Sequence, residues 1–283
     1  MAIDTSTTAA VGPSAAACPR VHMLLDIDGT LAMTDHLYML TFRELLQPFG
    51  HTEVDDAWFA EHVAGKVDDA VFRSLLPAEM DTPEQLNEMS RKKDDTYCRL
   101  MMEQGAEVVK GLGGALEMAR ENGFRCVAVS NAQRAGCEAV LAMLRRELGE
   151  IAGVIEDLVV GSECARAKPH PDPYLEAMSR LGAGPSECVV FEDSRTGVRA
   201  GVAAKVAAVV GLRTSLTEEQ FTEAGATLSI ANWTELDAQM LRGLVSGAPS
   251  LRVASGEVGS VQPAYGDALR AAGRDQPTYG SSA

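Results

Sequence analysis

The sequence predicts an α/β protein: a Rossmann-like core built on a parallel sheet, with a small α-helical domain inserted into it. The first observation is that short apolar runs alternate with helix-length amphipathic stretches, a pattern typical of βαβ units whose sheet is covered on both faces. The second is that the segment 35–105 breaks this alternation, because it carries several helical patterns and no convincing strand.

The first predicted strand is Val21–Leu25, a short apolar run that ends in polar residues. A continuous apolar run of this length suits a strand that is buried on both faces of a parallel sheet. Four later runs have the same character: Arg125–Val129, Leu158–Val160, Cys188–Phe191 and Val206–Val210. The helices predicted in the α/β part are Gly114–Asn122, Arg134–Glu147, Pro173–Leu181 and Ser194–Ala203.

The inserted segment carries four helical patterns. In the first of them, one face of a helix is indicated by the spacing of Leu37, Leu40, Thr41 and Leu45. These patterns are His36–Gln47, Asp55–Val63, Lys66–Leu76 and Pro83–Gln104. Both ends of the chain lack sustained periodicity, which is typical of disordered segments. The predicted organisation is therefore a disordered leader, an α/β core in two pieces, a helical cap and a flexible tail: 1–19, 20–34 with 106–244, 35–105 and 245–283.

Composition narrows the classes of partner. The chain has 25 basic and 40 acidic residues and a formal charge of −15, so nucleic acid, whose phosphates attract basic surfaces, is not an expected partner. No apolar run approaches the ~20 residues that cross a bilayer, so no membrane partner is expected either. The six cysteines show no paired spacing, which favours a reducing, cytoplasmic location; an organelle transit peptide is the weaker alternative.

Two carboxylates follow the first predicted strand, in the run Asp26-Ile27-Asp28-Gly29-Thr30. In open α/β sheets, ligands bind beyond the carboxyl ends of the strands. Two acids at such an end can divide the work of nucleophile and proton donor, and Gly29 permits a sharp exit from the strand. Taken alone, the run is equally compatible with an ordinary Asp-Gly turn.

Polar side chains also follow the next two strands. Ser130 and Asn131 offer a hydroxyl and an amide that can hold a phosphate oxygen, although the same pair is common in turns. Lys168 lies in a loop stiffened by Pro169 and Pro171, where it can supply a fixed cation in an acidic protein. A lone lysine is more often simply exposed to solvent.

The fourth strand end carries Glu192 and Asp193 directly after Phe191. Acids at a buried strand end are costly unless something neutralises them. A divalent cation shared with Asp26 would do so, because carboxylate oxygens are its preferred ligands. The sequence therefore predicts a metal site at this edge of the sheet.

The four motifs, in this order, resemble those of the haloacid dehalogenase-like (HAD) superfamily, and the helical insert after the first motif is similar to its C1-type cap. The resemblance covers about residues 20–240. Within the superfamily, the segments AGK (64–66), GSEC (161–164) and KPHPDPYL (168–175) are similar to those of the small sugar- and glycerol-phosphate phosphatases of plants. The chain also resembles β-phosphoglucomutase-like proteins.

The resemblance implies a role for each motif. Asp26 would be the nucleophile that forms a phosphoaspartate, and Asp28 the general acid and then the general base. A magnesium ion would be held by the Asp26 carboxylate, the Asp28 backbone carbonyl and Asp193, with Glu192 as a direct or an outer ligand. Residues that would neutralise the transferring phosphoryl group are Ser130, Asn131 and Lys168.

The implied function is a magnesium-dependent phosphatase that acts on small sugar or polyol phosphates. One alternative is a sugar phosphomutase of the β-phosphoglucomutase type. That family places a cap arginine three residues after a cap glycine, to grip a second phosphate, whereas Asp68 stands three residues after Gly65 in this chain. A second alternative is an inactive regulatory module, which the intact set of motif residues disfavours.

The cap residues nominated for substrate binding are Lys66 and Asp69. The basic run 91–93 is interpreted as a solvated helix face. The expected partner is a small phosphorylated metabolite, and the expected assembly is a monomer or a weak homo-oligomer.

Overall fold

The computed structural model describes residues 20–51, 53–63 and 68–247, apart from the side chains of Asp56, Ala60 and Asp69. The predicted leader, nearly all of the predicted tail and the nominated cap residue Lys66 lie outside this part of the chain. Its strands are β1 (His22–Leu25), β2 (Ala32–Met33), β3 (Glu107–Val108), β4 (Arg125–Ser130), β5 (Ile155–Val160), β6 (Cys188–Glu192), β7 (Ala208–Leu212) and β8 (Leu228–Ile230).

The α-helices of the described part divide between the inserted segment and the α/β core. Those of the inserted segment are α1 (Asp35–Leu46), α2 (Asp56–His62), α3 (Asp68–Leu75) and α4 (Pro83–Gln104). Those of the core are α5 (Leu112–Glu121), α6 (Arg134–Leu148), α7 (Asp172–Leu181), α8 (Arg195–Ala203), α9 (Glu218–Ala224) and α10 (Ala238–Ser246). Among these residues, no helix combines the length and the apolarity that crossing a bilayer demands.

The main sheet has six strands in the order β5-β4-β1-β6-β7-β8, and every neighbouring pair is parallel. Strand β1 is central, so Leu25 pairs with Ala128 of β4 on one side and with Phe191 of β6 on the other. This arrangement confirms the predicted α/β fold with a parallel sheet. The carboxyl ends of β4, β1 and β6, which carry the polar motifs, lie side by side.

Helices cover both faces of the sheet. Successive residues of a strand point to opposite faces, and Met23 and Leu25 accordingly belong to one apolar cluster while Leu24 belongs to the other. Side chains of α5, α6 and α10 pack on the first face, and those of α7, α8 and α9 pack on the second. The continuous apolar runs in the sequence follow from this burial on both faces.

The inserted helices have a small apolar core of their own. Its buried members are Phe42, Leu45, Leu46, Val63, Val71, Phe72, Leu86 and Met89. The predicted helix Pro83–Gln104 is confirmed as α4, and α1 begins at Asp35, one residue before its predicted start. Helix α4 also contributes Tyr97 to the core cluster on the face covered by α5 and α6, so it packs against the α/β core as well.

A second, two-stranded sheet joins the two ends of the inserted segment. Strands β2 and β3 pair antiparallel there, with Ala32 opposite Val108 and Met33 opposite Glu107. Neither β2 nor β3 is among the strands that the sequence predicts. A strand of two residues has no readable alternation of apolar and polar side chains, so the sequence pattern gave no sign of it.

Candidate active site

Asp26 lies directly beyond the end of β1. Its backbone N–H donates to the carbonyl of Phe191 over 3.0 Å, which continues the pairing of β1 with β6 by one residue. The chain then turns at Gly29, whose φ of +73° is a conformation that favours glycine. A Cβ atom at Gly29 would lie 2.1 Å from Oδ2 of Asp193, so the glycine also makes room for that carboxylate.

Lys168 connects three strand ends. Its ammonium group donates three hydrogen bonds. The acceptors are Oδ1 of Asp26 at 2.7 Å, Oε1 of Glu192 at 2.6 Å and the carbonyl oxygen of Val129 at 2.7 Å. These three contacts use its three donors. Burial lowers the pKa of Lys168, but Asp26 and Glu192 outweigh this effect, so the pKa lies well above its usual range and the group stays charged.

The side chain of Asn131 holds the loop that carries Lys168. Its amide nitrogen donates to the Lys168 carbonyl and its oxygen accepts from the Lys168 N–H, both over 3.0 Å. The amide is thus engaged with the lysine loop, and its role as a phosphate ligand stays a prediction. The hydroxyl of Ser130 lies 3.4 Å from Oδ2 of Asp28 and donates to it. The same hydroxyl oxygen accepts a hydrogen bond from the Ala132 N–H.

Asp28 is half-buried, unlike Asp26, which is buried. Its Oδ1 accepts a hydrogen bond of 2.6 Å from the hydroxyl of Thr34. Burial raises the pKa of Asp28, and hydrogen bonds from Thr34 and Ser130 partly oppose this increase. A carboxyl group that is partly accessible and has a raised pKa is suited to donate a proton.

Three buried carboxylates meet at one edge of the sheet. Asp26, Glu192 and Asp193 each offer an oxygen, and these oxygens lie within 4.8 Å of one another. Burial raises the pKa of Asp26 and of Asp193 well above the usual range, and the charge of the neighbouring acids adds to this. The Lys168 ammonium compensates only part of their charge. The donor set and its excess negative charge fit a hard divalent cation.

Glu192 differs from the other two acids because hydrogen bonds engage both of its oxygens. Oε1 accepts from Lys168 and, over 2.8 Å, from the hydroxyl of Tyr174, and Oε2 accepts from the Ser194 hydroxyl over 2.9 Å. The residue is 0% exposed. By contrast, no hydrogen bond within the described part of the chain engages Oδ2 of Asp26 or Oδ1 of Asp193. Of the two positions that the sequence analysis left open for Glu192, this network favours the outer one.

Two residues after β7 complete the site and were missed by the sequence analysis. The Ser215 hydroxyl donates to Oδ2 of Asp193 over 2.5 Å, and the Thr214 hydroxyl donates to the Gly29 carbonyl over 2.6 Å. The signal was present, because polar residues after an apolar run marked the other motifs. It was missed because the run was predicted to end at Val210, whereas β7 continues to Leu212.

The cap contains a buried lysine, and the prediction that this lysine is solvated was wrong. Lys93 was predicted on a solvated helix face, but it is 7% exposed, and its ammonium lies 2.5 Å from Asp68 and 3.3 Å from Asp94. Only tertiary packing of α4 against α3 determines which residue of a basic run is buried. The two cap residues nominated for substrate binding, Lys66 and the side chain of Asp69, lie outside the described part of the chain.

The fold and the site define an α/β protein whose candidate active centre is built from strand-end carboxylates and a buried lysine. A family model described as haloacid dehalogenase-like hydrolase matches residues 22–205, and the chain belongs to this family. The match confirms the resemblance on which the sequence analysis relied.

Curated relatives agree with this assignment. CbbY of Rhodobacter capsulatus is 29% identical over 219 residues, which cover 75% of this chain and 90% of the relative. A phosphorylated carbohydrates phosphatase of Thermotoga maritima is 28% identical, with 72% and 91% covered. A β-phosphoglucomutase of Mycobacterium tuberculosis is 26% identical, with 75% and 90% covered. The predicted enzyme class, a hydrolase of the phosphatase type, is confirmed.

Solved structures share the fold. A HAD hydrolase of family IA, variant 3, from Entamoeba histolytica has a TM-score of 0.69 at 19% identity, covering 80% of this chain and 99% of that chain. CbbY from Rhodobacter sphaeroides in complex with xylulose-(1,5)bisphosphate has a TM-score of 0.62 at 24% identity, covering 76% and 95%. At these identities the likeness concerns the fold alone.

Proposed function

We propose that this protein is a magnesium-dependent phosphatase that hydrolyses small sugar or polyol phosphates through a phosphoaspartate. The observation that carries the proposal is the environment of Asp26. Lys168 holds one oxygen of its carboxylate, the other accepts no hydrogen bond among the described residues, and the half-buried Asp28 follows two residues later. Lys168 thus fixes the orientation of the Asp26 carboxylate through Oδ1, and Oδ2 is available to attack phosphorus.

In the first step, Oδ2 of Asp26 forms a bond to phosphorus while the bond between phosphorus and the sugar oxygen breaks. Asp28 gives its proton to that leaving oxygen, so a neutral alcohol departs. In the second step, the Asp28 carboxylate takes a proton from water as the water oxygen bonds to phosphorus, and the bond to Asp26 breaks to release inorganic phosphate. Lys168, fixed by Glu192, offsets negative charge beside the nucleophile throughout.

The residues that would hold magnesium are Asp26, Asp193 and the backbone carbonyl of Asp28, with Glu192 in an outer position. When bound, the ion supplies positive charge to the phosphoryl oxygens. The fit of these residues is supported by the excess of buried carboxylate charge and by Oδ1 of Asp193, which no hydrogen bond within the described part of the chain engages.

Ser215 provides a test of the metal assignment. We expect Ser215→Ala to raise the magnesium concentration needed for half-maximal activity by about 10–100-fold, since loss of an outer hydrogen bond frees the Asp193 carboxylate to reorient. The measurement is a magnesium titration of aryl phosphate hydrolysis. Ser215→Thr retains the hydroxyl and serves as the control. An unchanged titration curve in the alanine variant would contradict the assignment of Asp193.

The sugar phosphomutase is the second candidate, because a β-phosphoglucomutase is among the relatives. A mutase must hold the second phosphate of a bisphosphate with positive charge from the cap. The Asp68 carboxylate is not a free anion, because it is paired with Lys93, and Asp94 also lies 3.3 Å from that ammonium. One cation between two acids leaves no net positive charge at this place, which favours the phosphatase.

Product analysis distinguishes the two candidates and tests the proposed function. We expect sugar and polyol monophosphates to release inorganic phosphate with little isomerised product, and a chelator to stop the reaction until magnesium is restored. We also expect bisphosphates to bind no better than monophosphates, and Asp68→Arg to improve bisphosphate binding because it adds a cation beside Lys93. Asp95→Arg, at an exposed position of α4, is the matched control.

Two results would oppose the proposal. Conversion of β-glucose 1-phosphate to glucose 6-phosphate faster than phosphate release would establish the mutase instead. Hydrolysis that persists at full rate in the presence of a chelator would contradict the proposed dependence on magnesium.

A further inference from the structure

The hydroxyl of Tyr97, on helix α4 of the inserted segment, is buried without a hydrogen-bond partner among the described residues. Tyr97 is 3% exposed. A buried hydroxyl that forms no hydrogen bond costs about 1–3 kcal/mol, and such groups are rare in native proteins. The burial of the Tyr97 hydroxyl without a partner therefore requires a physical explanation.

Two groups of the active site, Asp28 and Thr34, interact with this hydroxyl. Burial and, next, the charge of Asp28 raise the pKa of Tyr97, while Thr34 opposes the increase. Thr34 itself donates to Asp28 over 2.6 Å. Tyr97 also lowers the pKa of Asp28, although its hydroxyl has no hydrogen-bond partner among the described residues. The hydroxyl thus interacts with the carboxyl group of the proposed general acid but forms no hydrogen bond with it.

The ring of Tyr97 is fixed between the inserted helices and the α/β core. On one side lies the ring of Tyr38 from α1, with a distance of 4.6 Å between ring centroids. On the other side lies the backbone of α6 at Gly136, where an added Cβ would come within 3.2 Å of the ring carbon Cε1. Glycine inside a helix is less favourable than alanine by about 1 kcal/mol. Gly136 therefore makes room for the ring of Tyr97 but lowers the stability of α6.

We propose that Tyr97 is a positioning residue for the general acid. Its hydroxyl donates to the Asp28 carboxyl group when substrate is bound, and this contact, together with that from Thr34, directs the acid toward the leaving oxygen. Because Tyr97 belongs to α4, a small shift of that helix against α6 alters the orientation of the acid. The inference rests on the proposed function only for the role of Asp28.

The test compares two variants on two substrates. Tyr97→Phe keeps the ring and removes the hydroxyl, and we expect kcat for glycerol phosphate to fall about tenfold or more with little change in KM. This is less than the ~10²–10⁴-fold expected from losing the acid itself. Hydrolysis of p-nitrophenyl phosphate, whose leaving group needs little protonation, should fall much less. Gly136→Ala, which displaces the ring, should reproduce this difference between substrates.

Controls separate positioning from a loss of structure. Gly114→Ala in α5 adds a methyl group with nothing within 4 Å and should leave both activities unchanged. Thermal unfolding of each variant reports its stability. In an Asp28→Asn background, Tyr97→Phe should cost almost nothing further, because two residues that act through one proton transfer are not additive.

The outcomes are distinguishable from failure of the proposed function. If the wild-type protein hydrolyses no phosphate ester, the proposed function is wrong. If it does, three results overturn the role of Tyr97: equal losses for the two substrates, a loss confined to KM, or a full additional loss in the Asp28→Asn background.

Discussion

Asp26→Asn is expected to reduce phosphatase turnover by about 10⁴-fold or more, as is typical when a nucleophile is removed. An amide oxygen cannot form the phosphoaspartate, and the exchange also removes a negative charge that Lys168 contacts over 2.7 Å. Acid-quenched wild-type protein incubated with substrate should carry one phosphoryl group on the peptide that contains Asp26. Mass spectrometry of that peptide, together with a phosphate-release assay, measures both effects.

Asp95→Asn is the matched control for this variant, since it makes the same chemical change at an exposed position of α4. It should retain wild-type turnover. Asp26→Asn should stay folded, because asparagine has nearly the same shape and Lys168 keeps its contacts with Glu192 and Val129. Phosphate attached to a different residue, or substantial turnover by the Asp26→Asn protein, would refute the assignment of the nucleophile.

Asp28→Asn is expected to lower the rate by about 10²–10⁴-fold for substrates with an alkoxide leaving group, because the amide cannot supply a proton. For p-nitrophenyl phosphate the loss in the phosphorylation step should be smaller, since its leaving group departs without help. Phosphate release from glycerol phosphate and from p-nitrophenyl phosphate, with phosphorylation rate-limiting, gives the comparison. Equal losses for the two substrates under that condition would disprove the role of Asp28.

The pH dependence gives a second measure of the same residue. Burial raises the pKa of Asp28, so its carboxyl group keeps a proton to higher pH than an exposed aspartate does. Hydrolysis of glycerol phosphate by the wild-type protein should therefore fall as pH rises through that raised pKa. The Asp28→Asn protein has no proton to lose at this position, and this decrease should be absent from its profile.

The parts of the fold that the sequence predicts are those with a strong local signal. Central strands buried on both faces require continuous apolar runs, so β1, β4 and β6 were recognisable. Strand β8 was not, because it has only three residues and Ser229 interrupts its apolar character. The pairing of Met33 with Glu107 involves residues far apart in sequence, and no local pattern records it.

The candidate site was predictable where side chains follow a recognisable strand, as Asp26 and Lys168 illustrate. The sequence could not indicate that Lys168 donates hydrogen bonds to both Asp26 and Glu192. This pair of contacts depends on the order of the strands in the sheet. Nor could it separate Lys93 from its exposed neighbours, because burial on a helix depends on which face another helix covers. Tyr97 gave no signal, as an aromatic residue in an amphipathic helix ordinarily indicates a packed core.

The sequence separation of the contacts that build the active site also determines at which stage of folding the site can form. Lys168 and Asp26 are 142 residues apart in sequence, and Thr214 and Gly29 are 185 apart. Contacts of such separation form slowly, because long loops must close before they are stabilised. A chain emerging from the ribosome contains Asp26 early but cannot complete the site until Ser215 has followed. Recovery of activity during refolding therefore reports that the strands from β4 to β7 have assembled around β1.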